Sequence, residues 1–395
     1  MTVIAIGTAL PPWGTEAARA VGGDEDAVTL AVDAGRAAIE ASDGAPVARV
    51  VLVTRDLPLL DGGNGAALVA GLGLPAGTEV VEQVGGAPAA LDQVVGAATG
   101  TLVIGADTAA ASGAAAALIG TGTGLVVERA ARVQHSLPVR ARGRDGVVHD
   151  YDDPRLVRER GVRVALAEAV IDRKAVAVAG LVGKDAAALS EGAPPAPPTT
   201  GASAPLFALA ALAESVTTGL LLAFEQASMT GAEVSGGAAS VARVEPAARP
   251  QPKQRLTPGP EIKISLPAYE RAFEAKLRLE AGRCPDCGTL ALPQRFRCLG
   301  CGSEGTSTLV ALPREAVVYT TSTIHTPVPG LATPYTIVIA ELGDTGVRLL
   351  ARITGADPGS VAIGDRGTMV LRRVADRSGV PDYGYAFLPD AEAAG

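Results

Sequence analysis

The residues with the most defined chemistry are four cysteines within one short segment. They form two Cys-x-x-Cys pairs, each followed by glycine and separated by ten residues: Cys284, Cys287, Cys298 and Cys301. Each pair can form a knuckle with two thiolates pointing the same way, and four thiolates fill a tetrahedral Zn²⁺ shell without leaving a position for water. The spacing predicts a structural zinc ribbon of the rubredoxin type; two disulfides, a redox dithiol or an iron centre remain as alternatives.

The overall composition argues against several classes of function. The 395 residues carry a net charge of −8, and aromatic residues make up only 3%. A nucleic-acid-binding zinc ribbon is therefore disfavoured, because binding to a phosphate backbone needs a basic surface. The start of the chain has no basic region, and the longest apolar stretch, 206–224, is interrupted by Glu214. We expect a cytoplasmic protein with neither a signal peptide nor a membrane span.

A Pro-rich stretch at 245–260 separates two regions of different composition. The Ala/Gly/Val-rich region before it predicts strands at 3–7, 50–53 and 102–104 and a helix at 24–41. Alternation of strands and helices indicates a layered α/β domain with helices on the faces of its sheet.

The region after the Pro-rich stretch predicts a helix at 267–281, the cysteine segment and then five short strands. The strands are expected at 316–324, 335–342, 347–353, 368–374 and 383–388. Short strands separated by Gly, Pro and Asp indicate a small barrel of the OB type. The predicted units are therefore 1–244 (α/β domain), 245–262 (linker), 263–305 (helix plus zinc ribbon) and 306–395 (OB-fold).

The second region resembles a family of accessory proteins. From about 266 to 389, the resemblance lies in the order of helix, CPDCG, CLGCG and strands that include TPYTIVIAEL and YGYAFLP. That family joins a zinc ribbon to an OB-fold and associates with thiolases and acyl-CoA enzymes. The resemblance implies a generally non-catalytic module that docks on a thiolase-type partner and, in some complexes, helps to form the CoA channel.

The first ~245 residues resemble the thiolase superfamily, closest to 3-hydroxy-3-methylglutaryl-CoA synthase and ketoacyl synthase III. The matching stretches, in family order, are DEDAVTLAVDAGRAAIEA, VEQVGGAPAALDQVV followed by LVIGAD, HDYDDPRLVRERG, and TTGASAPLFALAALAESVTTGLLLAFEQASMTGAE. The resemblance implies αβαβα layering. The segment from about 161 to 205 is shorter than in the active enzymes, so a truncated version is expected.

The chain departs from the thiolase pattern at the catalytic positions. The family carries its acyl group on a cysteine thiolate at a helix N-terminus. Gln83 stands at the matching position here, and no cysteine occurs before Cys284. No histidine lies between His149 and His325, and threonines stand where the family often has Asn or His. The resemblance therefore implies a domain that has lost the usual acyl-enzyme chemistry.

Three features are weaker candidates for a functional site. Some ketosynthases with glutamine at the nucleophile position act as decarboxylases, so Gln83 is either a catalytic amide or a tolerated residue in an inactive site. His325 follows the first barrel strand and is either a contact for CoA or substrate, or a surface loop residue. Arg140, Arg142 and Arg144 either bind CoA phosphates through bidentate hydrogen bonds or form a solvated loop.

The function expected from these features is that of an accessory subunit, without catalysis of its own, in a thiolase-type complex that condenses, cleaves or transfers acyl groups. The expected partner is a catalytic thiolase or ketosynthase-like subunit, the expected assembly is an oligomer, and the expected ligand of the complex is a CoA thioester or an acyl carrier protein. The alternative is a stand-alone acyltransferase or Gln83-dependent decarboxylase that acts on acyl-CoA or acyl carrier protein.

Overall fold

A computed structural model of the protein describes residues 1–135, 137–151, 153–192, 195–305 and 307–390. Residues 306 and 391–395, which belong to the predicted OB-fold unit, lie outside the described residues. Among the helices within these ranges, none is both long and apolar enough to cross a membrane.

The region before the Pro-rich stretch alternates strands and helices. Its strands are β1 (Thr2–Ala9), β2 (Trp13–Thr15), β3 (Ala18–Ala20), β4 (Arg49–Thr54), β5 (Glu79–Val84), β6 (Thr101–Asp107), β7 (Gly113–Ile119), β8 (Leu125–Gln134), β9 (Arg140–Arg142), β10 (Val148–Asp150), β11 (Ala177–Ala179), β12 (Gly219–Glu225), β13 (Ser228–Gly236) and β14 (Ser240–Val244). Its helices are α1 (Ala27–Ala41), α2 (Gly65–Leu72), α3 (Ala87–Gly96), α4 (Pro154–Leu156), α5 (Arg163–Glu168), α6 (Gly183–Leu189) and α7 (Ala204–Ser215), with a π-helical turn, Val157–Val162, between α4 and α5. The strands predicted at 3–7, 50–53 and 102–104 and the helix predicted at 24–41 are all present.

The main sheet of this region has ten strands; nine form two half-sheets with the same topology, and the tenth, β14, pairs in parallel with β1. The first has the order β5-β4-β6-β7-β1, and the second has the order β11-β12-β13-β8. In each half-sheet the second-to-last strand of this order, β7 in the first and β13 in the second, runs antiparallel to both of its neighbours. The half-sheets meet where Thr2 and Val3 of β1 pair with β8. Within the described residues the second half-sheet has one strand fewer, in agreement with the truncation expected there.

Helices lie on both sides of each half-sheet. Helices α3 and α7 form a central layer, because each contacts strands of both half-sheets. Helices α1 and α2 cover the outer face of the first half-sheet, and α5 with the π-helical turn covers the second. The αβαβα architecture expected from the thiolase resemblance is thereby confirmed.

Helix α1 begins at a well-formed cap and packs very closely on the sheet. The Asp26 carboxylate accepts hydrogen bonds from the Val28 and Thr29 amides, and the Thr29 hydroxyl accepts one from the Asp26 amide. A Cβ added to Gly7 of β1 would lie 2.1 Å from the carbonyl oxygen of Ala34, so only glycine fits at that position. The small residues on this helix therefore allow β1 to approach its backbone directly.

From the Pro-rich stretch onward, the chain contains one helix and ten strands among its described residues. They are β15 (Arg255–Leu256), α8 (Leu266–Leu277), β16 (Glu280–Arg283), β17 (Leu290–Ala291), β18 (Thr308–Ala311), β19 (Glu315–Ile324), β20 (Ala332–Thr333), β21 (Tyr335–Leu342), β22 (Arg348–Arg352), β23 (Arg366–Arg377) and β24 (Val380–Pro389). Five of them form an antiparallel sheet in the order β22-β21-β19-β23-β24, which a bridge between Ile353 and Phe387 closes. The five predicted strands and the OB-type barrel are confirmed.

The helix predicted at 267–281 is wrong at its end. Helix α8 ends at Leu277, Leu279 has a positive φ of 53°, and β16 begins at Glu280. Strand β16 pairs with β17 and β18 to form the three-stranded sheet that carries the cysteines. Pairing with distant strands therefore ends the helix four residues before the predicted position (281 − 277).

The two regions share one apolar core. It combines residues of α1 and α2 with residues of β23 and β24. Val32 of α1 and Leu371 of β23 both pack against Gly71 of α2, where an added Cβ would lie 2.7 and 2.9 Å from their side chains. The barrel is therefore held against the outer helix layer of the thiolase-like domain.

Candidate functional site

Two backbone knuckles position the four cysteines. In the first, the Gly288 amide donates a hydrogen bond to the Cys284 carbonyl at 3.0 Å. In the second, the Gly302 amide donates to the Cys298 carbonyl at 3.1 Å. Both glycines have positive φ, 73° and 76°, a conformation that a side chain disfavours. The glycine that follows each Cys-x-x-Cys pair therefore has a backbone role.

The four sulfur atoms form one group in which all distances are within 4.8 Å. Cys284 Sγ lies 3.8 Å from Cys301 Sγ, and Cys287 Sγ lies 3.5 Å from Cys298 Sγ. Thiolates bound tetrahedrally at a Zn–S distance of about 2.3 Å are separated by about 3.8 Å, so this spacing fits a tetrahedral metal ion. No disulfide joins any of the four. Hydrogen bonds, first from the Thr289 hydroxyl 3.1 Å from Cys287 Sγ and then from the Thr289 amide and the neighbouring cysteines, lower the pKa of that thiol to about 6.

A pocket of about 450 Å³ lies at the carboxyl ends of β4, β11 and β12 in the thiolase-like domain. Arg55, which follows β4, forms an ion pair there with Glu225, the last residue of β12. The Glu225 carboxylate also accepts a hydrogen bond from the Gly86 amide at 3.0 Å. Because Gly86 is the N-cap of α3, a carboxylate of the chain itself occupies the positive end of this central helix.

The second central helix, α7, is capped in the same way. Asp107, at the end of β6, accepts hydrogen bonds from the Ala202 and Ser203 amides at 2.8 and 2.9 Å and from the Ser203 hydroxyl at 2.6 Å. Ser203 is the N-cap of α7, and its hydroxyl also lies 2.6 Å from the Thr199 hydroxyl. Burial raises the pKa of Asp107, and these hydrogen bonds oppose that effect. A carboxylate thus occupies the N-terminus of each central helix.

The lining of this pocket and the capped helix N-termini limit the acyl-transfer chemistry that the pocket can support. Neither a cysteine nor a histidine is among the described residues that line the pocket. Without a thiol no acyl-cysteine can form, and helix N-termini already bound to carboxylates are not free to stabilise an oxyanion. The described lining residues of the pocket therefore provide no thiol, and the N-termini of both central helices are bound to carboxylates.

The two weak catalytic candidates lie apart from this pocket. Gln83 belongs to the edge strand β5, where its side-chain oxygen accepts a hydrogen bond from the Gln93 amide group at 2.6 Å. His325 directly follows β19 and is exposed. Neither is among the described residues of the pocket lining.

The arginine run lies partly beside the pocket. Arg140 lines it and is 3.4 Å from the Asp150 carboxylate, whereas Arg142 donates to the Arg55 carbonyl at 3.0 Å. Arg144 is exposed. The structure therefore brings one arginine of the run to the pocket and assigns another to a backbone contact.

A buried ionic cluster joins the two regions of the chain. Arg372 of β23 lies 2.9 Å from the Asp33 carboxylate of α1 and 3.6 Å from the Glu25 carboxylate. The Tyr383 hydroxyl of β24 donates to the Asp26 carboxylate at 2.8 Å. Burial raises the pKa of Glu25 to about 7, although Arg372 opposes this effect. One guanidinium thus faces two buried carboxylates across the junction.

Reasoning from the sequence missed the ion pair that fills this pocket. Arg55 and Glu225 each follow a run of buried apolar residues, VVLVT and LLLAF, so a charged residue at a strand end was the available signal. The pairing itself joins positions far apart in the chain, which no local pattern reveals.

Three comparisons with known proteins agree with the C-terminal architecture. The family model described as the C-terminal OB-fold domain of ChsH2 matches residues 309–372. A DUF35 domain-containing scaffold protein of Methanothermobacter thermautotrophicus is 31% identical over 123 residues, which cover 30% of this chain and 92% of that protein. A protein of the same description from Methanocaldococcus jannaschii is 34% identical over 111 residues, 27% of this chain and 78% of the relative.

Among solved structures, the Ltp2-ChsH2(DUF35) aldolase is 28% identical with a TM-score of 0.26 and covers 31% of this chain and 90% of that chain. The 3-oxoacyl-(acyl carrier protein) synthase III of Pseudomonas aeruginosa PAO1 is 18% identical with a TM-score of 0.45 and covers 60% of this chain and 98% of that chain. The C-terminal module of this chain covers most of the length of the two DUF35 relatives, 92% of one and 78% of the other. Through that module, the chain belongs to the family of DUF35 domain-containing scaffold proteins.

Proposed function

We propose that this protein is a non-catalytic accessory subunit of a thiolase-type complex that condenses, cleaves or transfers acyl groups. The observation that carries the proposal is the occupation of both central helix N-termini by internal carboxylates, Glu225 at α3 and Asp107 at α7. The thiolase-like layers are retained while the groups that would carry an acyl chain are replaced. We expect a domain of this kind to provide a binding surface for a partner rather than to catalyse a reaction.

The surface best suited to a catalytic partner is the free edge of β5. Among the described strands, β5 pairs only with β4, so its other edge presents unpaired backbone groups. Val84, at the end of this strand, is 69% exposed. A strand of a catalytic thiolase or ketosynthase-like subunit that adds to this edge satisfies those backbone groups and covers Val84. The assembly is then a hetero-oligomer.

We further propose that the four cysteines hold one structural Zn²⁺. A closed shell of Cys284, Cys287, Cys298 and Cys301 leaves no position for substrate, so the ion stabilises the ribbon and takes no part in a reaction. The proposed units remain 1–244, 245–262, 263–305 and 306–395, in a cytoplasmic protein. In the complex, the ribbon and barrel shape the path by which a CoA thioester or an acyl carrier protein reaches the partner.

The alternative, a stand-alone acyltransferase or Gln83-dependent decarboxylase, requires Gln83 to contact a substrate. Its side-chain oxygen instead accepts a hydrogen bond from Gln93, and it belongs to an edge strand. These contacts support the accessory role. Turnover of an acyl-CoA by the purified chain that disappears in Gln83→Ala would support the alternative.

Co-purification tests the proposed partnership. The chain is co-expressed with a thiolase-type enzyme from the same organism, and the mass of the complex is measured by light scattering. We expect Val84→Lys to weaken the association about tenfold or more, since it places a charge where an apolar side chain becomes buried. Val182→Lys is the matched control, because Val182 is similarly exposed (66%) and directly precedes α6, away from the β5 edge. Absence of any complex, or equal weakening by both variants, would contradict the proposal.

A further inference from the structure

The open edge of β5 carries negatively charged side chains and no positively charged one. The strand, EVVEQV, contains Glu79 and Glu82 but neither lysine nor arginine. A third acid, Asp61, is exposed on the loop between β4 and α2. The Asn64 side chain donates hydrogen bonds to the Leu59 carbonyl and to the Glu82 carboxylate, so this loop is held beside β5. Another chain that meets this edge therefore meets an acidic surface.

Glu82 is a carboxylate held in one place. Its two oxygens accept hydrogen bonds from the Gly65 amide at 2.9 Å and from the Asn64 side chain at 2.6 Å. Among the described residues, no basic side chain forms an ion pair with Glu82, whereas Glu79 lies 3.3 Å from Arg49 of β4. The Glu82 charge is therefore fixed at the strand edge without a cation beside it.

Pairing of this edge with a second copy of itself brings the two Glu82 carboxylates together. Val80 and Glu82 lie on the face of β5 towards α2, and Val81 packs on the opposite face. In a two-fold antiparallel pair, each residue lies opposite one on the same face. A register centred on Glu82 places the two carboxylates directly opposite each other. A register centred on Val81 places each Glu82 opposite Val80, with the carboxylates diagonal at roughly 7–8 Å.

The other end of the strand order is covered by the chain itself. Strand β11 pairs with β12, and its three residues, Ala177–Ala179, are at most 2% exposed. On the other side of this strand, Ala175 forms a bridge with Ser190, and its carbonyl accepts a hydrogen bond from the Glu191 amide at 2.8 Å. The two ends of the described strand order are therefore not equivalent, and one partner strand at β5 completes it.

We propose that the charge on the β5 edge selects the partner: Glu82 and Glu79 exclude a second copy of this chain and favour a strand with a lysine or arginine opposite Glu82. This inference deepens the proposed function and rests on it for the existence of a partner. A basic residue in that strand gains an ion pair with a carboxylate that is already ordered, so little side-chain entropy is lost on this side. The complex then contains one partner strand per chain.

Light scattering of the full-length chain, alone and mixed with the thiolase-type enzyme from the same organism, tests the inference. The variants are Glu82→Gln, Glu79→Gln and their combination. Glu128→Gln is the matched control, because Glu128 is exposed and lies on β8, an interior strand of the same sheet. Glu82→Gln also changes the contact at the start of α2, so its folding is checked by circular dichroism. The salt dependence of the wild-type complex provides a measurement without any substitution.

We expect the wild-type chain and Glu128→Gln to be monomeric, and the double variant to form dimers at the same protein concentration. The affinity for the enzyme is expected to fall about threefold for each glutamine substitution and about tenfold for the double variant. Added salt is expected to weaken the wild-type complex and to have less effect on the complex of the double variant.

Three results would overturn the inference: wild-type dimers that Val84→Lys dissociates, a folded double variant that remains monomeric, or enzyme binding that neither the double variant nor salt changes. If Val84→Lys weakens enzyme binding but the charge variants do not, selection by charge alone is wrong. If no enzyme binds, the proposed partnership is wrong, and the change from monomer to dimer in the double variant still decides whether these glutamates exclude a second copy.

Discussion

Replacement of Glu25 by glutamine tests the buried cluster that joins the barrel to the thiolase-like domain. Glu25 is only 4% exposed and faces Arg372 of β23, with Asp24 and Asp33 also close to it. Burial is the largest influence and raises its pKa from the ordinary 4.5 to about 7. Arg372 and the Gly22 amide, which donates to the carboxylate at 2.7 Å, oppose this effect.

The raised pKa of Glu25 determines how the free energy of unfolding changes with pH. An acid whose pKa is higher in the folded than in the unfolded state takes up a proton on folding, so its contribution to stability is lost as pH rises from about 4.5 to about 7. A pKa difference of about 2.5 corresponds to a change of about 3 kcal/mol in the free energy of unfolding. The Glu25→Gln variant has no group to titrate at this position and lacks that decrease.

Urea unfolding of the wild type and Glu25→Gln at several pH values between about 5 and about 8 measures the difference. We expect the stability of Glu25→Gln relative to the wild type to rise by about 2.5 kcal/mol across this range. Glu40→Gln, on the helix α1 that follows Glu25, is the control, because the Glu40 side chain is 72% exposed, and it should follow the wild-type curve. Parallel curves for the wild type and Glu25→Gln would refute the assignment of a buried, titrating carboxylate at the junction.

Three further changes probe the site and the fold. Cys287→Ser is expected to abolish the binding of one zinc ion per chain, measured by atomic absorption, and to lower the melting temperature of the ribbon; full zinc retention would contradict the tetrahedral site. Glu225→Ala leaves Arg55 without its carboxylate and should destabilise the chain by about 2 kcal/mol without creating acyl-CoA turnover; new turnover would mean that the ion pair merely blocks an intact site. Gly7→Ala should destabilise by roughly 3 kcal/mol in urea unfolding, because its Cβ overlaps the Ala34 carbonyl; an unchanged midpoint would show that α1 can move away from β1.

Local patterns in the sequence predict most of the elements and the cysteine site. Apolar runs bounded by turn residues locate the barrel strands closely, and the spacing of the cysteines anticipates that their four sulfurs converge. The small residues of the first helix anticipate its close packing, which Gly7 and Ala34 make explicit. These features depend on residues near one another in the chain, where periodicity and spacing carry information.

Contacts between distant parts of the chain could not be predicted. The pairing of Arg55 with Glu225 spans 170 positions (225 − 55), and Arg372 meets Asp33 from the other end of the molecule. The absence of a cysteine predicted a lost nucleophile, but not that a carboxylate would take the helix N-terminus in its place. The early end of α8 at Leu277 likewise results from pairing of β16 with β17 and β18.

Acyl-CoA turnover by the purified chain, alone and together with a thiolase-type enzyme from the same organism, tests the central claim most directly. The measurement follows release of free CoA and formation of any acyl-protein adduct by intact mass. The account predicts no turnover and no adduct for the chain alone, a stable complex with the enzyme, and activity of that complex that depends only on the partner's cysteine. Turnover or an acyl adduct on the isolated chain would contradict a non-catalytic accessory subunit.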